Sequence, residues 1–365
     1  MSKKSLVWGF VLGQLFIGRV FSATISLDVP AQSRLAQFVK TNHSAQKLYR
    51  PIQREADASL NQSGHPVERI SSSGLLAADA RKIETLKSLK DMPRLQALGY
   101  AYAVTGEKRY SATARRIILN WVEHNQPTGH PIDETKLEPL LECCELTRNA
   151  FSAEERSRLD DWLRQIARVQ MENLKPHSSS SRNNWNSHRL KIVGLIGFLL
   201  NDQQLIDWTV VGFKRQIETN LQADGSSFDF HERDALHYHC YDLEPLLRLA
   251  LAAKLNGIDL YAYTSTNGAS LGKSVDFLIP YCSGEKTHAE FVHSKVKFDH
   301  ERAEAGEEAF KTGAPFQPRS AARVFELAVF FDDKYLNMAE RLGGKPGNEL
   351  FSWQALLNQI RKERA

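Results

Sequence analysis

From about residue 80 onward, apolar residues recur at the three-to-four spacing of helices that bury one face. Residues 93–105 carry Leu95, Leu98, Tyr102 and Val104, and Gly106 closes them. Residues 109–124 follow with Ala114, Ile117, Ile118, Trp121 and Val122, before a break at 125–129. The same pattern predicts helices over 134–150, 153–173, 187–200, 203–221, 233–255 and 319–342, joined by short loops. The alternation of apolar and polar positions that marks strands is scarce. The spacing therefore predicts an all-α chain of antiparallel helix hairpins, an α/α solenoid or toroid, although no sequence repeat is legible. Two stretches fall outside it. Residues 50–80 are rich in Arg, Gln, Asn, Ser and Gly, and residues 283–317 are rich in charge, Gly and Pro. Irregular segments of that length in a compact domain are usually functional lids or disordered loops.

The first residues have a different character. Lys3 and Lys4 precede an apolar run from Val7 to Ile17, and small residues Ser22 and Ala23 end it. A basic start, a short apolar run and small residues describe an export signal, so residues 1–22 are expected to be removed and residues 23–365 to form one domain. Removal takes away Lys3, Lys4 and Arg19 and no acid. It lowers the formal net charge from +4 to about +1. A nearly neutral protein does not attract a polyanion with its whole surface; any positive charge that does so must be concentrated in a cleft. Nucleic acid is not an expected partner. Cys143, Cys144, Cys240 and Cys282 fit no zinc spacing, and the adjacent pair is expected as packed thiols.

Two segments carry candidate chemistry. Ser181-Arg182-Asn183-Asn184-Trp185-Asn186-Ser187-His188-Arg189 precedes the apolar run from Leu190 to Leu200. Asn and Ser there are good helix caps. Two adjacent Asn with Trp185 and His188 exceed what capping needs, and a helix start presents donors to a carboxylate. Asp224-Gly225-Ser226 opens the second segment, which contains His231, Arg233, His237, Tyr238, His239 and Tyr241. On one continuous helix over 233–250, Arg233, His237 and Tyr241 fall at i, i+4 and i+8 and form a single face. His237 and His239 do not share a face, which disfavours a helical two-His metal site, and no metal or cofactor is assigned. Lys136 and the stretch Glu290 to Lys295 are lesser candidates.

These residue types match one reaction. Cutting a uronic-acid chain by β-elimination removes the proton on C5, α to the carboxylate, and protonates the departing O4. It needs donors that neutralise the carboxylate, plus a general base and a general acid. Asn, Arg, His and Tyr supply all of these. The chain from about 90 to 335 resembles the alginate lyase family, with an (α/α) toroid fold. Arg94 to Tyr110, Pro131 to Leu140 and the two segments above carry the likeness. The family's catalytic Tyr ends a Tyr-His-x-Tyr sequence, here Tyr238-His239-Cys240-Tyr241, so the resemblance implies a catalytic Tyr241. The family's Asn-Asn-His-Ser run is Asn183-Asn184-Trp185-Asn186 here. Trp185 takes the place of the His, and His188, a turn later, is the expected imidazole. The family's Arg lies seven residues before the Tyr, where this chain has Asp234; Arg233 is the expected substitute. Related helical lyases place a catalytic His soon after Asp-Gly-Ser, which makes His231 a rival base. The catalytic set expected is Tyr241, His188, Asn184 and Arg233. Asn183, Trp185, His231, His237, Tyr238, His239 and Lys136 are expected to bind substrate.

The expectation is thus a monomeric, periplasmic or secreted lyase acting on an anionic polysaccharide, alginate first and other polyuronates such as glucuronan second. Two alternatives remain open. One is an α/α-toroid glycoside hydrolase, which needs two opposed carboxylates, with Glu232, Asp234 and Asp242 the residues to nominate. The other is a non-catalytic polyanion-binding protein.

Overall fold

A computed structural model describes residues 24–344 and 350–363; the expected export signal lies outside them. Helices dominate. Among the described residues there is no strand, only isolated bridges such as Leu221 with Ser227. No described helix is long and apolar enough to cross a membrane.

The helices form two concentric layers of an open toroid. Asp91–Thr105, Glu138–Leu146, Asn184–Leu200, Leu236–Leu255 and Ala322–Ala328 follow one another round the inner layer, each packed on the next. Lys108–His124, Ala153–Glu172, Gln203–Asn220, Leu271–Ser283 and Leu336–Gly343 run back along the outside. The layers differ as burial demands. Every residue from Asn186 to Phe198 is buried, whereas Ala153–Glu172 buries one stripe, including Leu159, Trp162, Leu163 and Ile166. Local signals set the ends. Ser152 and Glu155 form a capping box at the start of Ala153–Glu172. Asn183 caps Trp185, and Asn201, in the left-handed region, ends that helix. Helices approach closely at Gly194, where a β-carbon would lie 2.5 Å from Leu249 Cδ1 and 2.7 Å from Thr209 Cγ2 of the outer layer.

A buried ionic network ties the inner layer. Arg248 Nε donates to Glu138 (2.6 Å) and Nη2 to Glu142 (2.9 Å), while Lys191 binds the other Glu138 oxygen. Three inner helices are thereby linked, and such a network tolerates loss of no single partner, since a bare charge would remain buried. Residues 25–27 join the same framework. Ile25, Ser26 and Leu27 amides donate to the Glu145 carboxylate, and Ile25 O accepts from Arg248.

The predicted helices recur with three breaks. The 134–150 helix divides into Pro131–Glu134, a 3-10 turn and Glu138–Leu146, and the 319–342 helix into Ala322–Ala328 and Leu336–Gly343. The expected 233–255 helix is two, Phe228–Arg233 and Leu236–Leu255, because Asp234 takes a left-handed conformation (φ 47°). The 50–80 stretch is helical up to Ser59, within His43–Ser59, and irregular beyond it. Cys143, Cys144, Cys240 and Cys282 are buried free thiols.

Candidate active site

The two irregular stretches and two inner-layer helices, with the short Pro131–Glu134 segment beside them, enclose a cleft of about 660 Å³. Its floor is the first turns of Leu236–Leu255 and Asn184–Leu200, which present His237, Tyr241, Asn184 and Trp185. One wall comes from residues 296–310, with Phe298, Arg302 and Phe310; the other holds Ser72, Ser73, Lys82 and Lys136. The charge-rich 283–317 stretch is therefore a wall, pinned in place rather than loose. Phe291 N donates to Asp234 O (2.7 Å), His293 N to Asp234 Oδ2 (2.8 Å) and Lys295 N to Glu232 O (2.9 Å). Glu290 caps the helix below through the amides of Leu236 and His237. Across the cleft, Asp133 holds Ser72 and Ser73 through three hydrogen bonds. Among the described residues, Lys82, Lys136, Arg233 and Arg302 line the cleft against one acid, Glu232. Positive charge is therefore concentrated in this cleft.

Tyr241 faces this cleft, and the His188 ring packs behind it, 4.4 Å between centroids. His188 Nδ1 bonds Thr135 Oγ1 (2.9 Å), Nε2 has no hydrogen-bond partner, and the ring does not line the cleft. Burial, then the nearby Lys191 ammonium, hold its pKa well below 6.5, so the imidazole is neutral. His237 lies one turn before Tyr241, its ring nearly parallel to the phenol at 6.5 Å, and it does line the cleft. Burial, with Arg233 and Arg302 nearby, also lowers its pKa. The phenol of Tyr241 shifts the opposite way: burial, then Tyr238, raise its pKa, so it is a neutral proton donor.

Asn184 lines the cleft, and its Nδ2 binds the buried Asp229. Asp229 also accepts from Asn220 Nδ2 (2.9 Å), which in turn reaches Asp242 (3.3 Å). Ser187 Oγ donates to the same Asp242 oxygen (2.6 Å). Desolvation pushes Asp229 up to about 6 and Asp242 well above its usual range. Arg233 lines the cleft from the end of its own short helix. Its guanidinium is engaged by both oxygens of Asp299 and stacks 3.6 Å over Tyr238. Arg302 donates to Tyr238 OH (3.1 Å), while its buried Nε has no hydrogen-bond partner. Lys136 reaches Ser72 Oγ.

Of the sequence candidates, the structure brings Tyr241, Asn184, Arg233, Asn183, Trp185, His237, Tyr238 and Lys136 to one cleft. Three do not line it. His188 sits beneath Tyr241. His239 is fully buried between Ser227 Oγ (2.8 Å) and Ser274 O (3.0 Å) and serves packing. His231 is exposed, bonded to Ser226 of the Asp-Gly-Ser turn (2.8 Å), and away from the cleft. The single-face reading of Arg233, His237 and Tyr241 fails at Asp234, where the helix breaks; the 283–317 wall brings Arg233 back to the cleft through Asp299. Arg302, Phe298, Phe310, Ser72 and Lys82 had only one sequence signal, their place in or beside the two irregular stretches. Among the described residues no three His, Cys, Asp or Glu side chains converge as metal ligands.

Comparison with known proteins agrees with this fold. A family model described as Alginate lyase matches residues 31–288. A Stenotrophomonas maltophilia protein named polysaccharide lyase is 34% identical over 113 residues, 30% of this chain. That match spans a third of the relative's length. An alginate lyase from Bacteroides ovatus superposes over 93% of this chain and 99% of its own, with a TM-score of 0.71 and 16% identity. One from Sphingomonas species A1 covers 83% of this chain and 95% of its own, with a TM-score of 0.53 and 18% identity. At those identities the likeness is one of fold.

Proposed function

The chain belongs to the alginate lyase family, and from that premise we propose that it opens a uronic-acid polymer, alginate, by β-elimination in the cleft of Tyr241. The observation that carries this reading is the placing of a neutral phenol and a neutral imidazole, Tyr241 and His237, side by side on one face of a cleft lined by cations. His237 takes the C5 proton, the electron pair forms the C4–C5 double bond, the bond from C4 to O4 breaks, and Tyr241 gives its proton to O4. Base and acid on one helix face suit a substrate whose proton and leaving group share a face of the sugar. Asn184, Lys136 and Arg302 stand where donors can neutralise the C6 carboxylate, without which the carbanion is too costly. His188 supports Tyr241 from behind and does not meet the sugar.

Hydrolysis by paired carboxylates is less well supported. Among the described residues Glu232 is the one acid lining the cleft; Asp242 is buried in the Asn220 network and Asp234 is held by His293. The test is incubation with polymannuronate, polyguluronate and glucuronan, followed by absorbance of the unsaturated product. Reducing ends without that absorbance point to hydrolysis, and binding without either points to a carrier. The export-signal pattern of residues 1–22 supports action in the periplasm or outside the cell.

A further inference from the structure

Beyond Trp185 the cleft continues into a second recess of about 600 Å³, which shares Ser73, Ser180 and Trp185 with the first. Trp185 stands between them, its ring edge-on to His130 at 4.6 Å. Arg189 lines this recess and is 2% exposed, yet no acid pairs with it. Its Nε has no partner, and its Nη1 reaches Ser180 O and Asn186 Oδ1 only at 3.5 and 3.4 Å. Arg248, also buried, is by contrast paired with Glu138 and Glu142, and Arg361 makes two hydrogen bonds of 3.0 and 2.9 Å to Ser26. Burial without a counter-charge lowers the Arg189 pKa to about 10, and a guanidinium so placed is costly to fold around. Arg69 and Lys175 stand at the same recess. Its acid, Asp133, is turned toward Ser72, Ser73 and Lys136 through Oδ1 and toward His130 through Oδ2 (3.4 Å), and makes no ion pair with Arg189.

We infer that this recess is an anion subsite in which Arg189 pairs with the carboxylate of a second uronate unit, on the far side of Trp185 from the unit that reacts. The inference rests on the uronate-polymer reading above. Substrate supplies the missing counter-charge, Arg offers the planar fork that a carboxylate matches, and Trp185 offers a ring face between the two units. Arg189 touches no reacting atom; it sets how the polymer is gripped.

Arg189→Met and Arg189→Lys are compared with the wild type on oligomannuronates of graded length. Arg189→Met should raise KM about tenfold or more on substrates long enough to pass Trp185, as loss of a charge-assisted pair does. The shortest cleavable oligomer should be unaffected, and Arg189→Lys should lie between. Arg189→Met should also melt no lower than the wild type without substrate, because it removes a buried unpaired charge. KM equal to wild type at every length overturns the subsite. So does a melting point well below wild type with a uniform loss of rate, which would make Arg189 a packing residue. If the wild type yields no unsaturated product, the β-elimination reading has failed. Calorimetric binding of the same oligomers to wild type and Arg189→Met then decides the subsite separately.

Discussion

The rings of His188 and Tyr241 lie 4.4 Å apart, inclined by 45°, with the phenol at the cleft and the imidazole sealed behind it. On the proposed reading, the buried neutral ring holds the phenol in position and exchanges no proton with substrate. This divides the roles of two residues that sequence reading pairs as acid and base.

Tyr241→Phe keeps the ring and its packing on His188 and removes the proton donor. Initial rates of unsaturated product should fall by on the order of 10² to 10⁴, with the melting point nearly unchanged. More than about a tenth of wild-type activity, a loss under about 1.4 kcal/mol, would remove Tyr241 from the chemistry.

His237 and His188 are separable by pH. As a base His237 must be neutral, and burial lowers its pKa below 6.5, so kcat/KM should fall only on acidification through that lower value. His237→Gln should cost about 10² or more in rate and abolish this acid limb. His188→Gln should lower kcat while leaving the limb in place. The reverse pattern would restore His188 as the base.

Arg302 and Arg233 should also part company. The Arg233 fork is occupied by Asp299 through two hydrogen bonds, whereas Arg302 Nε beside the cleft has no hydrogen bond and only Glu307 at 3.8 Å. Arg302→Ala should raise KM and lower kcat/KM about tenfold or more, as removal of a donor to a carboxylate does. Arg233→Ala strands Asp299 and should instead destabilise the fold by about 3 kcal/mol, read as a lower denaturation midpoint.

Asp229 and Asp242 make stability depend on pH in an unusual direction. The folded pKa of Asp229, about 6, lies above its ordinary 3.8. Its contribution is therefore fully present below pH 3.8 and lost as pH rises through 6. The loss is on the order of 2 to 3 kcal/mol. Asp242, raised further, extends the loss upward. Urea midpoints from pH 4 to 7 should fall, and Asp242→Asn should flatten the slope; a rising midpoint with an unchanged slope in the variant would show both carboxyls ionised without penalty.

Gly194→Ala places a methyl against Leu249 and Thr209 at less than 3 Å. Helices of both layers must separate to admit it. A loss of about 1 to 3 kcal/mol is expected, measured by thermal or denaturant unfolding.

Much of this protein is determined by residues near one another in the chain. The three-to-four spacing of apolar residues and the caps at Ser152, Asn183 and Asp202 mark most of the helices. Tyr238-His239-Cys240-Tyr241 and Asn183-Asn184 mark the floor of the cleft because they share its two first turns. What the chain could not disclose locally is which polar face another segment covers. Periodicity puts His237 and Tyr241 on one side of a helix. Only residues 296–310, folded back across 60 positions, turn that side into a cleft and add Arg302 to it. Elsewhere, Leu271–Ser283 buries His239 under Phe277 and Ser274, while His231 stays exposed and His188 lies beneath Tyr241. Solvation decides a side chain's protonation and reach, and tertiary contacts decide solvation, so the division of labour among these histidines belongs to the tertiary structure.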